Sequence, residues 1–202
     1  MVNRLSILGT GKLGLCLALN LERAGYGVTC YDINKDYIEE LKNKTFESSE
    51  PEVTGLIKHS RDIFFTTDLS IALKNDIIYV VVNTPSTEDN KYDHTNIDAV
   101  ISEIKKYGKR HRRTDLVLNC TTFPGYINSI QKELNDYNIF VSYNPEFIAQ
   151  GTIIRDQQYP DAVVIGEADK QAGDLIEKIN KDLCKNDPLI HRMSPVDGEI
   201  TK

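Results

Sequence analysis

Hydrophobic and polar residues follow two different periods along this chain, one typical of buried strands and one typical of amphipathic helices. Short apolar runs predict strands at 4–8, 27–31, 62–66, 77–82, 115–119, 138–142, 162–165 and 189–191. Segments with apolar residues three and four positions apart predict helices at 12–24, 35–43, 52–60, 95–107, 125–136 and 168–184. Strands that alternate with helices in this way predict an α/β fold.

The repeated strand–helix order predicts a doubly wound, mainly parallel sheet with helices on both faces. Residues 77–82 are continuously apolar and mostly β-branched, as expected of a central strand buried on both sides. Neither an internal repeat nor a low-complexity linker interrupts the pattern. We therefore expect one domain over residues 1–193. A further helix should begin within 194–202, because Ser194 is a suitable cap and Pro195 suits the first helical position.

Three glycines between the first strand and the first helix have the spacing of a dinucleotide-binding turn, Gly-x-Gly-x-x-Gly. Gly9 permits the sharp turn, Gly11 lets the backbone approach a pyrophosphate, and Gly14 lets the helix pack closely on the sheet. The N–H groups at the start of the helix, at Lys12 and Leu13, offer hydrogen bonds and a partial positive charge to the phosphates. This turn predicts a Rossmann-type nucleotide site.

An acidic residue, Asp32, ends the second predicted strand, 18 residues beyond Gly14. A carboxylate at that place accepts hydrogen bonds from the ribose hydroxyls of the adenosine. Its charge would repel a 2′-phosphate, so the sequence predicts NAD as the cofactor in preference to NADP. The alternative is a glycine turn with a purely structural role, and the surrounding strand, helix, second strand and acid favour cofactor binding.

Three polar segments follow predicted strands at the edge where open α/β sheets bind their ligands. They are residues 83–87, 119–125 and 142–147, which carry hydroxyls, carboxamides and the carboxylate of Glu146. Each segment alone is equally typical of an ordinary turn or a helix cap. Three of them at one edge, beside a nucleotide turn, favour a reaction site.

Composition excludes several classes of function. The chain has 202 residues, 40% hydrophobic and 27% charged, as in an ordinary globular protein. Its net charge of −6 argues against nucleic acid as a partner, and the basic residues at 105–113 suit the end of a predicted helix. Neither a membrane-spanning run nor a secretory signal is present, so no membrane partner and a cytoplasmic location are expected. Four scattered cysteines and four scattered histidines predict neither disulfides nor a metal site.

Several short motifs, taken together, resemble the NAD-binding domain of the UDP-glucose/GDP-mannose dehydrogenase family, and they are most like those of UDP-glucose 6-dehydrogenases. In chain order they are residues 9–14, Ser49-Glu50-Pro51 with Gly55-Leu56, Phe65-Thr66-Thr67-Asp68, Asn83-Thr84-Pro85, Thr121-Thr122-Phe123-Pro124, Asn144-Pro145-Glu146-Phe147 and Val164-Ile165-Gly166. The resemblance covers essentially the whole chain. The Asn-Pro-Glu-Phe segment is the most specific, and it favours UDP-glucose or GDP-mannose over the UDP-N-acetylhexosamines as substrate.

The resemblance implies an oxidoreductase of nucleotide-sugar metabolism and polysaccharide biosynthesis. Such an enzyme oxidises the C6 alcohol of a UDP- or GDP-hexose to the uronic acid with two NAD. A cysteine from a second domain traps the aldehyde as a thiohemiacetal, and the thioester formed by the second hydride transfer is then hydrolysed.

The resemblance also implies roles for individual residues. Thr122 would position water or a substrate oxygen and contact the cofactor, and Glu146 would be the acid/base for hydrolysis. Lys202 would stabilise developing oxyanion charge at the start of the central interdomain helix. Thr84 would line the cofactor pocket, and Gln150 would lie near the nicotinamide ribose.

This sequence departs from the family pattern at several positions. Gln150 stands where glutamate is frequent, Lys12 where an aromatic residue is usual, and Gly125 where valine is usual. The segment with the nucleophilic cysteine, Cys-Phe-Pro-Lys-Asp, does not occur in the 202 residues. We therefore expect residues 194–202 to be the truncated start of the central helix and the isolated chain to be inactive. Dimerisation is expected only with the central helix and C-terminal domain present.

Two other functions are compatible with part of the pattern. One is a non-catalytic module that senses NAD or another nucleotide, which would not need Thr122, Glu146 and Lys202. The other is a domain of a different two-domain NAD-dependent dehydrogenase, which the Asn-Pro-Glu-Phe segment disfavours.

Overall fold

The computed structural model describes residues 4–88 and 91–202. Its eight strands form one sheet in the order β3-β2-β1-β4-β5-β6-β7-β8. They are β1 (Arg4–Leu8), β2 (Gly27–Tyr31), β3 (Ile63–Thr66), β4 (Ile77–Val80), β5 (Thr114–Leu118), β6 (Ile139–Tyr143), β7 (Ala162–Gly166) and β8 (Leu189–Met193). Strands β1 to β6 are mutually parallel, and the order changes direction between β1 and β4. The predicted doubly wound, mainly parallel sheet is confirmed.

Nine α-helices cover this sheet in the described part of the chain. They are α1 (Lys12–Arg23), α2 (Lys35–Lys42), α3 (Val53–His59), α4 (Leu69–Ala72), α5 (Thr95–Lys106), α6 (Tyr126–Leu134), α7 (Ile153–Gln158), α8 (Lys170–Leu183) and α9 (Pro195–Thr201). Helices α4 and α7 were not predicted, because four and six residues are too few to show a helical period. No helix within the described ranges has the length and hydrophobicity needed to cross a bilayer.

Two apolar layers hold the helices against the two faces of the sheet. One layer joins α1, α3 and α8 to the strands, and the other joins α4, α5 and α6 to the opposite face. Strand β4 contributes to both layers and is buried along its whole length, as the sequence predicted for 77–82. The strand ends at Val80, so Val82 and the polar residues after it lie on the carboxyl edge of the sheet.

The last two strands reverse direction. Strand β7 is antiparallel to β6 and meets it at a single pair, Tyr143 and Gly166, whereas β8 is parallel to β7. Helix α9 packs closely over this junction, since a Cβ on Gly166 would lie 2.8 Å from Cα of Pro195. Ser194 caps α9 by accepting a hydrogen bond from the N–H of Asp197 at 3.2 Å. A helix of seven residues is marginal alone, so this packing accounts for its order.

Candidate functional site

The glycine turn between β1 and α1 leaves room for only a glycine at two positions. Gly9 has φ +95°, and a Cβ there would lie 2.3 Å from the carbonyl oxygen of Val81. A Cβ on Gly14 would lie 2.1 Å from the carbonyl oxygen of Gly9. These contacts bring the loop and the first turn of α1 against the sheet, as the fingerprint spacing predicted.

The space in front of α1 is open. A Cβ on Gly11 would meet no atom within 4 Å, and Gly11 caps the helix without a side chain. The first N–H groups of α1, at Lys12 and Leu13, therefore begin an uncapped helix that faces this space. The partly buried Leu13 side chain packs against the hydrophobic core. Such a helix N-terminus suits a pyrophosphate, so the residues fit the dinucleotide that the sequence predicted.

The carboxylate of Asp32 is fixed at the end of β2 by two backbone donors. Thr10 donates its N–H to Oδ2 at 3.0 Å, and Asn34 donates its N–H to Oδ1 at 3.0 Å. Thr10 is itself fully buried, and its hydroxyl donates to the carbonyl oxygen of Tyr31 at 3.0 Å. The remaining lone pairs of the carboxylate stay available to ribose hydroxyls.

A cavity of about 280 Å³ lies beside this carboxylate. Its lining includes Gly11 and Asp32 on the sheet side and Asn96 and Glu103 from α5. That volume approaches the lower end of ordinary ligand sites. The contribution of α5 was not predicted, because its sequence has only the pattern of an ordinary amphipathic surface helix.

A buried glutamate joins the start of α1 to the loop before α7. Glu50 is 4% exposed, and both its oxygens accept from the N–H of Gly151, at 2.8 and 2.9 Å. Nζ of Lys12 lies 3.7 Å from Oε1 of Glu50 and donates to Oε1 of Gln150 at 3.4 Å. The predicted cofactor residues Lys12 and Gln150 are thus neighbours. Part of the Lys12 charge is offset by Glu50, so it attracts phosphate less than a free lysine would.

The polar loops that follow β4, β5 and β6 are in mutual contact at the carboxyl edge. Val82 donates its N–H to Sγ of Cys120 at 3.2 Å, and Asn119 donates through Nδ2 to the carbonyl oxygen of Asn144 at 2.5 Å. Thr84 lies partly buried in the first of these loops. The structure thus brings together the three segments that the sequence placed at one edge.

Thr122 is buried and donates its hydroxyl hydrogen to Oε1 of Glu199 at 2.9 Å. The same carboxylate accepts from the N–H of Gly125 at 2.6 Å and from the N–H of Ile127 at 2.9 Å. Glu199 lies on α9 and is 4% exposed. It caps α6 from a distant part of the chain.

Glu199 was missed at the level of sequence, although one signal for it existed. Helix α6 begins after Gly125, which has φ +92° and no side chain with which to cap the helix. Buried N–H groups at a helix start need an acceptor, so a distant carboxylate was to be expected. The positive φ also explains glycine where valine is usual, because a β-branched residue is strained there.

Glu146 lies partly buried in the loop after β6, within electrostatic reach of Lys202. Burial raises the pKa of its carboxyl group to about 7, while the side-chain amides of Asn119 and Gln157 and the charge of Lys202 oppose that rise. Burial lowers the pKa of Lys202, and Glu146 opposes that shift. Nζ of Lys202 also lies 4.6 Å from the ring centroid of Phe147. Both protonation states of Glu146 are therefore populated near neutral pH, as acid/base chemistry requires.

Comparison with known proteins places this geometry in a family. The model of the NAD binding domain of the UDP-glucose/GDP-mannose dehydrogenase family matches residues 3–184. A GDP-mannose 6-dehydrogenase of Pseudomonas aeruginosa is 31% identical over 94% of this chain and 46% of its own length. A UDP-glucose 6-dehydrogenase of Bacillus subtilis, YwqF, is 30% identical over 87% of this chain and 41% of its own length. The chain thus spans less than half the length of these relatives.

Solved structures give the same result. The crystal structure of a ternary complex of GDP-mannose dehydrogenase from Pseudomonas aeruginosa matches with a TM-score of 0.88 at 30% identity, over 98% of this chain and 48% of that one. The structure of a UDP-glucose dehydrogenase from Pyrobaculum islandicum matches with a TM-score of 0.87 at 25% identity, over 100% of this chain and 48% of that one. The chain therefore belongs to the UDP-glucose/GDP-mannose dehydrogenase family, and it is the NAD-binding domain of a member of that family.

Proposed function

We propose that this chain is the cofactor-binding part of a nucleotide-sugar 6-dehydrogenase, which oxidises the C6 alcohol of a UDP- or GDP-hexose to the uronic acid with two NAD. The observation that carries the proposal is the partly buried carboxylate of Glu146, within electrostatic reach of Lys202, at the edge of the sheet that also holds the glycine turn and Asp32. The relatives named above, GDP-mannose and UDP-glucose 6-dehydrogenases, support this class of substrate.

The proposed cofactor site runs along the carboxyl edge of the sheet. The open space at Gly11 and the N-terminus of α1 would hold the pyrophosphate, and Asp32 would accept hydrogen bonds from the adenosine ribose. Thr84 and Gln150 would lie towards the nicotinamide half. When bound, NAD supplies the acceptor for the hydride that leaves the sugar C6.

The proposed acid/base chemistry uses the charge states of two residues. Ionised Glu146 would accept a proton from water or from the sugar hydroxyl, and its pKa of about 7 suits that exchange. The ammonium of Lys202 would stabilise negative charge on the same oxygen. Because Thr122 donates its hydrogen to Glu199, its oxygen would act towards the substrate or water as an acceptor.

The complete protein would need more than these residues. We propose that residues 194–202 begin the helix that leads to a second, sugar-nucleotide-binding domain, and that dimerisation depends on that helix and domain. All four cysteines of the chain are free, and three of them are buried, which suits a reduced, cytoplasmic environment. A purely sensing module would have no use for an acid/base group beside the cofactor site, so the dehydrogenase is the preferred function.

Replacing Asp32 with alanine is expected to weaken NAD binding by about 10- to 100-fold, because hydrogen bonds to a charged group contribute about 1.5–3 kcal/mol. Isothermal titration of the chain with NAD and NADP measures this directly. The wild-type chain should prefer NAD, and the variant should lose most of that preference, because it no longer repels the 2′-phosphate.

Asp36→Ala is the matched control, since it removes an exposed carboxylate in the first turn of α2, four residues further on. That variant should bind NAD as the wild type does. The proposed site is wrong if the wild-type chain shows no NAD binding at millimolar concentration, or if both variants bind NAD equally well.

A further inference from the structure

Three buried carboxamides connect α1 to α7 beneath Glu146. They belong to Asn20, Gln157 and Gln158, which are 2%, 3% and 5% exposed. Asn20 donates through Nδ2 to the carbonyl oxygen of Ile154 at 3.1 Å and to Oε1 of Gln157 at 2.9 Å. Gln158 donates through Nε2 to Oδ1 of Asn20 at 2.6 Å.

The orientation of each amide in this group is fixed by its partners. A backbone carbonyl accepts only, so the Asn20 atom that faces Ile154 must be the amide nitrogen. That nitrogen then requires Gln157 to present its oxygen. The Nε2 group of Gln157, which carries two hydrogens, is consequently turned away from Asn20 and towards the loop that carries Glu146.

Nε2 of Gln157 is buried and forms no hydrogen bond of good geometry with any described residue, although it lies close enough to the Glu146 carboxylate to lower its pKa. Gln157 and Glu146 both line a cavity of about 30 Å³ between the loop after β6 and helices α7 and α8. A cavity needs about 10–15 Å³ of such volume to hold one water molecule, so this one has room for at least one. A buried donor and a carboxylate at one small cavity are the two kinds of partner that such a water needs.

We propose that Gln157 is a positioning residue for Glu146, and that its Nε2 group and the Glu146 carboxylate together hold one water molecule in this cavity. The inference rests on the acid/base role proposed for Glu146. A donor held at this place stabilises the ionised carboxylate, which is the form that accepts a proton. The Asn20 contact prevents Gln157 from rotating its oxygen towards the carboxylate.

The other titratable groups near Glu146 would not obscure a change in its titration midpoint. Burial raises the pKa of Cys16 on α1 to about 12, that of Cys184 after α8 to about 11, and that of Tyr79 on β4 far above its ordinary value. These three stay neutral between pH 5 and 9. Asp156 on α7 lines the same cavity, and its Oδ2 accepts from the N–H of Ala149 and the hydroxyl of Thr152. On α9, Lys202 supplies the one opposite charge among the groups that act on Glu146.

Gln157→Met, which keeps the length of the side chain but removes the donor, is expected to raise the titration midpoint of Glu146 by roughly one pH unit. The measurement is a pH titration of the chain labelled with ¹³C at the glutamate carboxyl carbons, with Glu146→Gln assigning the signal. A second measurement is the crystal structure of the wild-type chain at pH 8.5. It should show a water about 2.7–3.2 Å from both Nε2 of Gln157 and a carboxylate oxygen of Glu146.

Gln158→Met is the control, because it removes a buried amide from the same group without touching Glu146. Asn20 keeps its bond to Ile154 in that variant, so Gln157 stays oriented and the Glu146 midpoint should not move. Equal midpoints in Gln157→Met and the wild type would overturn the positioning role. A wild-type crystal with Gln157 bonded directly to Glu146 and no water would overturn the water site. If Gln157→Met does not fold, the wild-type crystal decides.

The result of the Gln157 experiment can be distinguished from the result of the NAD-binding test of the proposed function. A chain that fails to bind NAD but shows a midpoint dependent on Gln157 contradicts the dehydrogenase assignment and leaves this inference in place. A chain that binds NAD with a midpoint independent of Gln157 gives the opposite result.

Discussion

Glu199→Ala is expected to lower the free energy of unfolding by about 3–5 kcal/mol, because each buried donor left without an acceptor costs about 1–3 kcal/mol. The carboxylate of Glu199 accepts three hydrogen bonds, from the hydroxyl of Thr122 and from the N–H groups of Gly125 and Ile127. Alanine would leave all three donors without this acceptor, and two of them belong to the buried residues Thr122 and Ile127. Urea denaturation of the wild type and the variant at one pH gives the difference.

Glutamine should not rescue position 199. All three partners donate, and a carboxamide has a single acceptor oxygen with an NH₂ group that would face one of the donors. Ile200→Ala changes the next residue of α9, which is 65% exposed, and should cost no more than about 0.5 kcal/mol. A Glu199→Gln chain as stable as the wild type would show that this carboxylate does not hold α9 to α6.

Glu146→Gln is expected to stabilise the chain above pH 7 by at most about 3 kcal/mol, and to have little effect near pH 4. The pKa of Glu146 is about 7 in the folded chain and 4.5 for an ordinary glutamate. Between these values the folded state binds the additional proton, so stability falls as the pH rises from 4.5 to 7. Glutamine does not ionise, and the variant avoids this loss.

Urea midpoints measured from pH 4 to pH 8 test this expectation. Glu177→Gln is a control of opposite sign, because hydrogen bonds from Lys181 and Arg192 lower the pKa of Glu177 and its ionised form stabilises the folded chain. Parallel curves for the wild type and Glu146→Gln across the whole range would mean that Glu146 ionises like an exposed glutamate.

The cofactor turn could be predicted from sequence because its determinants are local. The tight contacts of Gly9 and Gly14 and the position of Asp32 at the end of β2 follow from a short strand–turn–helix–strand unit. The reversal of β7 could not be predicted in the same way, because a run of apolar residues defines a strand but not its direction. A single residue pair, Tyr143 with Gly166, joins this strand to β6.

The unpredicted parts of the site depend on contacts between distant residues. Thr122 and Glu199 are 77 positions apart, and Asn20 and Gln157 are 137 positions apart. No local pattern marks such pairs, although the uncapped start of α6 at Gly125 implied that some acceptor was needed. Lys12 likewise has a local pattern that favours phosphate contact, and only the fold reveals that Glu50 lies beside it.

The hydrogen bonds from Thr10 and Asn34 to Asp32 make this carboxylate preorganised. Immobilising a side chain on binding costs about 0.5–1.5 kcal/mol, and here folding has already immobilised it. The length of the side chain at position 32 therefore matters as well as its charge. A glutamate at position 32 would keep the negative charge but place it one methylene further out, beyond the two N–H groups. It would then have to be ordered by each cofactor molecule that binds.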